Sequence, residues 1–159
     1  MKTIAAKYGV FYKEFMIIRA AHPQDFEAWL PLWKGYLDYY EADIASTSGD
    51  TWQRLMNPPV DGPFALVAEN NEGKLVGLTH YVFHGHSWRA EPSCYLIDLF
   101  TDANTRGQGV GRALIEAVYE KADDRGAAQV YWLTQHFNEA GRRLYDKVAK
   151  VTPFIKYQR

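Results

Sequence analysis

The chain has 159 residues, 47% of them hydrophobic and 23% charged, with a formal net charge of −1. That suits one folded domain with a real core and excludes a disordered chain, a globally basic binder of nucleic acid or membrane surfaces and, with no apolar run near ~20 residues, a membrane-spanning helix. The single cysteine, Cys94, excludes a disulfide framework within the chain and a cysteine zinc site; with no signal-like apolar core at the start, the reading is a cytoplasmic protein.

Residues 1–15 carry three lysines and one glutamate without a clean period. They read as a leader, or as an extension added to a domain that spans 16–159; the other reading is an arm that packs its aromatics on the domain. Residues 16–20 read as the first strand. Pro23 opens a helix, as proline does at a first-turn position. Phe26, Trp29, Leu30, Trp33, Leu37 and Tyr40 follow at helical spacing, with Pro31 expected to kink the run. A second helix over 50–56 stops at Asn57-Pro58-Pro59. Strands over 65–69 and 75–83 flank a turn at 70–73, and 95–101 forms another. The strongest helix covers 109–125. A strand follows at 129–134, then a helix over 139–149 capped by Asn138, and Phe154-Ile155 suggest a last strand. The pattern is mixed α/β.

Between a good strand and the strongest helix stands Arg106-Gly107-Gln108-Gly109-Val110-Gly111-Arg112. Alternate glycines let the backbone curl and present successive N–H groups. The helix start adds unpaired donors and the positive end of its dipole, so the loop suits a pyrophosphate. It is not a Walker loop, because Arg112-Ala113 follow Gly111, and a dinucleotide fingerprint would need glycine at Arg112.

This run resembles the acyl-CoA-binding motif of the GNAT superfamily of N-acetyltransferases, carried here by Arg106, Gly109 and Gly111. The order of elements from Met16 onward is similar to that fold. The stretches Trp33-Lys34-Gly35-Tyr36-Leu37, Tyr39-Tyr40-Glu41, Thr51-Trp52-Gln53-Arg54-Leu55, His86-Ser87-Trp88 and Tyr95-Leu96-Ile97-Asp98-Leu99-Phe100 resemble the branch with yeast-type histone and polyamine acetyltransferases. The resemblance implies a central, mostly antiparallel sheet of six to seven strands with about four helices, and acyl-CoA held between the two central strands. It implies acetyl-CoA as co-substrate, no metal, and a homodimer. The acceptor would be the primary amine of a small molecule, a polyamine or a peptide, attacking directly in a ternary complex.

Such a transfer needs a proton for the departing thiolate. A thiol titrates near ~8.5, so a phenol near ~10 can supply it. Tyr145 stands seven residues after Asn138, two helical turns on, so both share a face. The resemblance makes Tyr145 that general acid, gives Asn138 to the pantetheine arm, and assigns backbone groups of Leu99, Phe100 and Thr101 to the thioester and pantetheine. Their N–H groups would also stabilise the oxyanion.

The acceptor amine must lose a proton before it attacks. Relatives carry Glu or Gln where Ile97 stands, so that base is absent here. Asp98 remains as the candidate, either holding and deprotonating a cationic amine or acting as a structural carboxylate. Tyr39, Tyr40 and Glu41 mix aromatics with a carboxylate at a helix end, which suits a cation. His86 joins them as a candidate acceptor contact. His80, His84 and His86 share strand parity and read as a polar, half-exposed strand, not a metal trio, with one of them in reserve to relay a proton. Ile97 motivates a rival reading, an acyl-CoA-binding module without turnover; a second rival is an enzyme of aminoacyl-tRNA.

The charge of −1 is unevenly laid out. Residues 16–105 hold five basic and twelve acidic side chains, and residues 106–159 hold ten basic and six acidic. The division fits a polyanionic carrier at one end and a cationic amine at the other.

Overall fold

The computed structural model describes residues 11–13, 16–43 and 45–159. Six strands form one sheet in chain order: β1 (Phe11–Lys13), β2 (Met16–Ala20), β3 (Phe64–Asn70), β4 (Leu75–His86), β5 (Arg89–Thr101) and β6 (Gln129–Tyr131). The pairs from β1 to β5 are antiparallel, and β5–β6 is parallel. Most of the expected leader, residues 1–10, 14 and 15, lies outside the described residues. The part inside is β1, whose backbone pairs with β2.

Helices cover both faces, which is why β3 and much of β4 are buried on both sides rather than alternating. Two helices, α1 (Phe26–Tyr39) and α2 (Ser48–Met56), lie between β2 and β3. They pack Trp29, Leu32, Trp33, Leu37, Trp52 and Leu55 on one face of the sheet, against Val67 and Leu78. The other face carries α3 (Val110–Asp124), the crossover that a parallel β5–β6 pair requires, with α4 (Glu139–Val148) beside it. Val110, Ala113, Leu114, Ala117 and Val118 of α3 close that core with Leu66, Tyr81 and Leu96.

One expectation gains detail and one changes. The first helix runs unbroken through Pro31, whose ring is exposed; the carbonyl that loses its helical donor there belongs to Glu27, itself exposed and open to water. No final strand forms at Phe154-Ile155. Pro153 has no N–H to give a ladder, and Val151, Phe154, Ile155 and Tyr157 stand in solvent.

Glycines set two close approaches. A Cβ on Gly77 would meet Val110 Cγ1 at 2.8 Å and the Phe100 carbonyl at 3.1 Å, so α3 sits directly on the sheet only because none is there. A Cβ on Gly35 would lie 2.7 Å from the Phe100 ring, so α1 rests on β5 in the same way.

Candidate active site

The site begins with a mismatch in strand length. β6 pairs with β5 only at Ser93–Tyr95, while β5 continues to Thr101. Beyond Tyr95 the β5 edge has no strand beside it among the described residues, so N–H and C=O groups of residues 96–101 face an opening. That opening is a cleft open to solvent, with Leu96, Ile97 and Leu99 on one wall and Trp132 and Leu133 on the other. Tyr36 and Tyr40 of α1 and Tyr145 of α4 complete it.

A β-bulge decides which side chains face which way. His80 pairs with Asp98 and Tyr81 with Leu96, so Ile97 is the extra residue. In a regular strand Asp98 would share a face with Cys94 and Leu96, both buried in the α3 core. The bulge turns Asp98 to the α1 face instead, where its carboxylate is 14% exposed. Asp98 Oδ2 accepts from His80 Nδ1 at 2.9 Å. His80 is buried, contrary to a half-exposed strand, and its Nε2 accepts from Trp29 Nε1 at 3.2 Å.

At the end of β5 the chain turns into the glycine loop. Gly107 (φ 79°) and Gly109 (φ 83°) adopt left-handed conformations that favour glycine. Gly109 caps α3, and the first bond of the helix runs from Ala113 N–H to the Gly109 carbonyl at 2.9 Å. The amides of Val110, Gly111 and Arg112 therefore point out of the helix start, a ready anion site. Arg106 and Gln108 are exposed beside it. The Val110 side chain is buried, so only its backbone can serve a ligand. The Arg112 guanidinium lies along α3 on Glu116 at 2.7 Å. Gly111 joins the loop to the cleft: a Cβ there would meet Leu144 Cδ2 at 3.2 Å and Thr101 Oγ1 at 3.6 Å. Leu144 precedes Tyr145, so anion loop, β5 edge and phenol are neighbours.

Asn138 caps α4, its Oδ1 accepting from Gly141 N–H and its Nδ2 donating to Thr134 Oγ1, both at 3.0 Å. One Nδ2 hydrogen remains for a ligand. Tyr145 packs edge-on against Trp132 at 5.4 Å. Burial, with a smaller contribution from Tyr40 and Tyr39, pushes its phenol up to about 12. Leu99 lines the cleft, whereas the Phe100 ring turns under Gly35 into the α1 core, leaving its backbone on the edge.

Of the acceptor candidates, Tyr40 lines the cleft and Tyr39 packs edge-on to it at 4.9 Å. Glu41 follows with a left-handed φ of 53° and is exposed. His86 is not brought to the cleft. It pairs with Arg89 at the tip of the β4–β5 hairpin and accepts from the Trp88 N–H, six residues along β4 from His80, or roughly 20 Å. No metal-binding group of three occurs among the described residues. Reading the sequence missed Tyr36, Trp132, Leu133 and the role of Trp29. Tyr36 stands one turn before Tyr40, a spacing that could have marked it as a second cleft residue and not only core.

A sheet edge left open beside a helix start with free amides, with a half-buried phenol in the opening, suits a carrier that has a pyrophosphate and a long extended arm. The acetyltransferase (GNAT) family profile matches residues 23–149. The D-amino-acid N-acetyltransferase HPA3 of Saccharomyces cerevisiae is 38% identical over 148 residues, 91% of this chain and 90% of that protein. An uncharacterized N-acetyltransferase of Bacillus subtilis, YhfO, is 30% identical over 146 residues, 89% and 95% of the two chains. Among solved structures, the aminoglycoside N-acetyltransferase AAC(6')-Iy in complex with CoA superposes with a TM-score of 0.78 at 16% identity, over 94% of this chain and 97% of that one. The chain belongs to the GNAT family of acetyltransferases and is an enzyme of that class.

Proposed function

We propose that the protein moves an acetyl group from acetyl-CoA to a primary amine by direct attack in a ternary complex. The observation that carries this reading is the alignment of three features on one path: the free amides of Val110, Gly111 and Arg112, the open edge of β5, and Tyr145. The residues present fit the carrier. The loop suits a pyrophosphate, the edge at residues 96–101 offers backbone partners to a pantetheine arm, and Asn138 has a donor hydrogen left. When bound, acetyl-CoA supplies the thioester carbonyl.

The chain's own residues do the rest. Backbone N–H groups at the edge stabilise charge on the carbonyl oxygen. Tyr145 protonates the departing sulfur. A phenol at about 12 looks too weak for a thiol of ordinary acidity, but burial acts on both groups. Inside this protein the buried Cys94 thiol is itself pushed up to about 12 by desolvation. A thiolate partly shielded from water in the cleft shifts in the same direction, which narrows the gap to the phenol. Asp98 takes a proton from the amine.

The acceptor is the amine of a small molecule or peptide, and the yeast relative's named substrate class places D-amino acids beside polyamines, aminoglycosides and peptides in the test. The reading also includes a cytoplasmic homodimer; the apolar side chains at Phe154, Ile155 and Tyr157 are what a second copy would cover. Thiol release from acetyl-CoA across such an amine panel tests the function. Turnover with at least one class, with intersecting initial-velocity lines, supports it; CoA binding without turnover makes the chain a silent carrier-binding module. Sedimentation velocity tests the dimer.

A further inference from the structure

The mechanism above leaves a buried polar chain unexplained on the α1 side of the cleft. Trp29 is fully buried, and its indole Nε1–H can only donate. It points at His80 Nε2 at 3.2 Å, so Nε2 must offer its lone pair. The proton of a neutral imidazole is then on Nδ1, which faces Asp98 Oδ2 at 2.9 Å. The tautomer follows from the partners alone. Placing a second proton on Nε2 would set two N–H donors against each other inside a dry pocket. The ring also packs against both Trp29 and Trp33, at centroid distances of 6.0 and 5.3 Å. At the other end of the chain is Tyr36. It lines the cleft and stacks on Trp33 at 5.2 Å between ring centroids; burial, and after it the nearby Asp98 charge, raise its phenol well above the ordinary tyrosine range.

We propose that Tyr36, Asp98, His80 and Trp29 act as one proton-accepting chain. Tyr36 links the acceptor amine to Asp98, and His80, locked as the Nδ1–H tautomer by Trp29, fixes the carboxylate that receives the proton. This rests on the acetyl-transfer reading and replaces the glutamate base that Ile97 displaces.

The protons balance. The substrate ammonium gives one proton to the Tyr36 oxygen as the Tyr36 hydroxyl passes its own to Asp98. The amine nitrogen bonds to the thioester carbon, and the carbon–sulfur bond breaks. A second proton of the nitrogen replaces the one Tyr145 gives to the departing sulfur, and the third stays on the amide. Asp98 returns its proton to solvent, so one proton is released per turnover. Tyr36 and Asp98 are the catalytic members; His80 and Trp29 are positioning residues, because they touch only the chain behind Asp98.

Two measurements on the intact protein test this. The first is the ¹⁵N spectrum of the His80 ring, read without substrate. The wild type should show a protonated Nδ1 and a bare Nε2, and Trp29→Phe, which keeps the stacking and removes the donor, should lose that preference. A wild-type His80 protonated on Nε2 overturns the proposal.

The second is a kinetic set on the best acceptor from the amine panel. Asp98→Asn should lower kcat/KM by ~100-fold and Tyr36→Phe by at least ~10-fold. His80→Leu should cost ~10-fold, His80→Asn should recover part of that because its amide can donate where Nδ1 did, and His80→Leu combined with Asp98→Asn should lose no more than Asp98→Asn alone. Wild-type rates in Tyr36→Phe, additive losses in the double variant, or no recovery in His80→Asn each overturn the chain. A protein that releases no thiol with any amine of the panel overturns the acetyl-transfer reading and this one together; an active protein indifferent to these substitutions overturns this one alone.

Discussion

The two ends of the cleft are built by different means. The loop end is built of backbone: left-handed glycines, a helix start and a strand edge without a partner strand among the described residues. Side chains contribute little there, since Val110 is core and Arg112 is spent on Glu116. The proposed acceptor end is built of side chains brought together across three elements: Tyr36 and Trp29 from α1, His80 from β4 and Asp98 from β5. A backbone site binds what all relatives share and tolerates sequence drift around it. A side-chain site can be retuned one residue at a time.

Tyr145 belongs to neither end and should give the largest effect. Tyr145→Phe is expected to lower kcat by ~10²- to 10⁴-fold, the range for a lost general acid, while calorimetry finds CoA affinity unchanged. A variant with normal kcat, chemistry being rate-limiting, would remove the acid from Tyr145. Next, Asp98→Asn should cost ~100-fold in kcat/KM and leave CoA binding alone; weakened CoA binding instead would blur the division between the ends. Gly109→Val should do the reverse. A β-branched residue at φ 83° is strained, so CoA affinity should fall by roughly tenfold while the Asp98–His80 bond remains visible by NMR.

Alkaline stability gives a smaller, distributed signal. Burial raises Tyr81, Tyr145 and Cys94 in the fold. Above the ordinary values near 9 to 10 the unfolded chain has lost protons that the folded chain keeps, so stability falls as pH rises. The contribution of Tyr145 and Cys94 should be intact at pH 8 and lost by about 12. Thermal melts should show Tm dropping by ~5 °C or more across that window, and a flat profile would contradict it. Smallest of all, Arg112→Ala should change CoA affinity by no more than ~2-fold, since the backbone amide of residue 112, which the substitution keeps, is what the helix start presents. A large loss would mean the loop end relies on a side chain after all.

The loop end was legible because its signals are local. Gly107, Gly109 and Gly111 are adjacent in sequence, and their geometry requires glycine or follows from the helix they start. The seven-residue step from Asn138 to Tyr145 is also local, and α4 realises it. The acceptor end depends on pairing between strands. Asp98 could be seen as an odd carboxylate in an apolar strand, but nothing nearby in sequence says that Ile97 is unpaired, and that decides which face Asp98 occupies. The same limit misplaced His80: a polar residue in a strand reads as half-exposed until Trp29, 51 residues away, is found to satisfy it. His86 shows the other limit: it shares strand parity with His80 but stands at the tip of the hairpin, six residues further along β4.

The bulge at Ile97 has an evolutionary consequence. Because one unpaired residue separates Leu96, which packs on α3, from Asp98, which faces α1, mutations on either side of it act on different cores. Under the proposed function, the acceptor end can therefore change without disturbing the loop end. Deleting that one residue would not merely shorten a strand; it would bury the carboxylate in the wrong half of the molecule and couple two histories that the fold keeps apart.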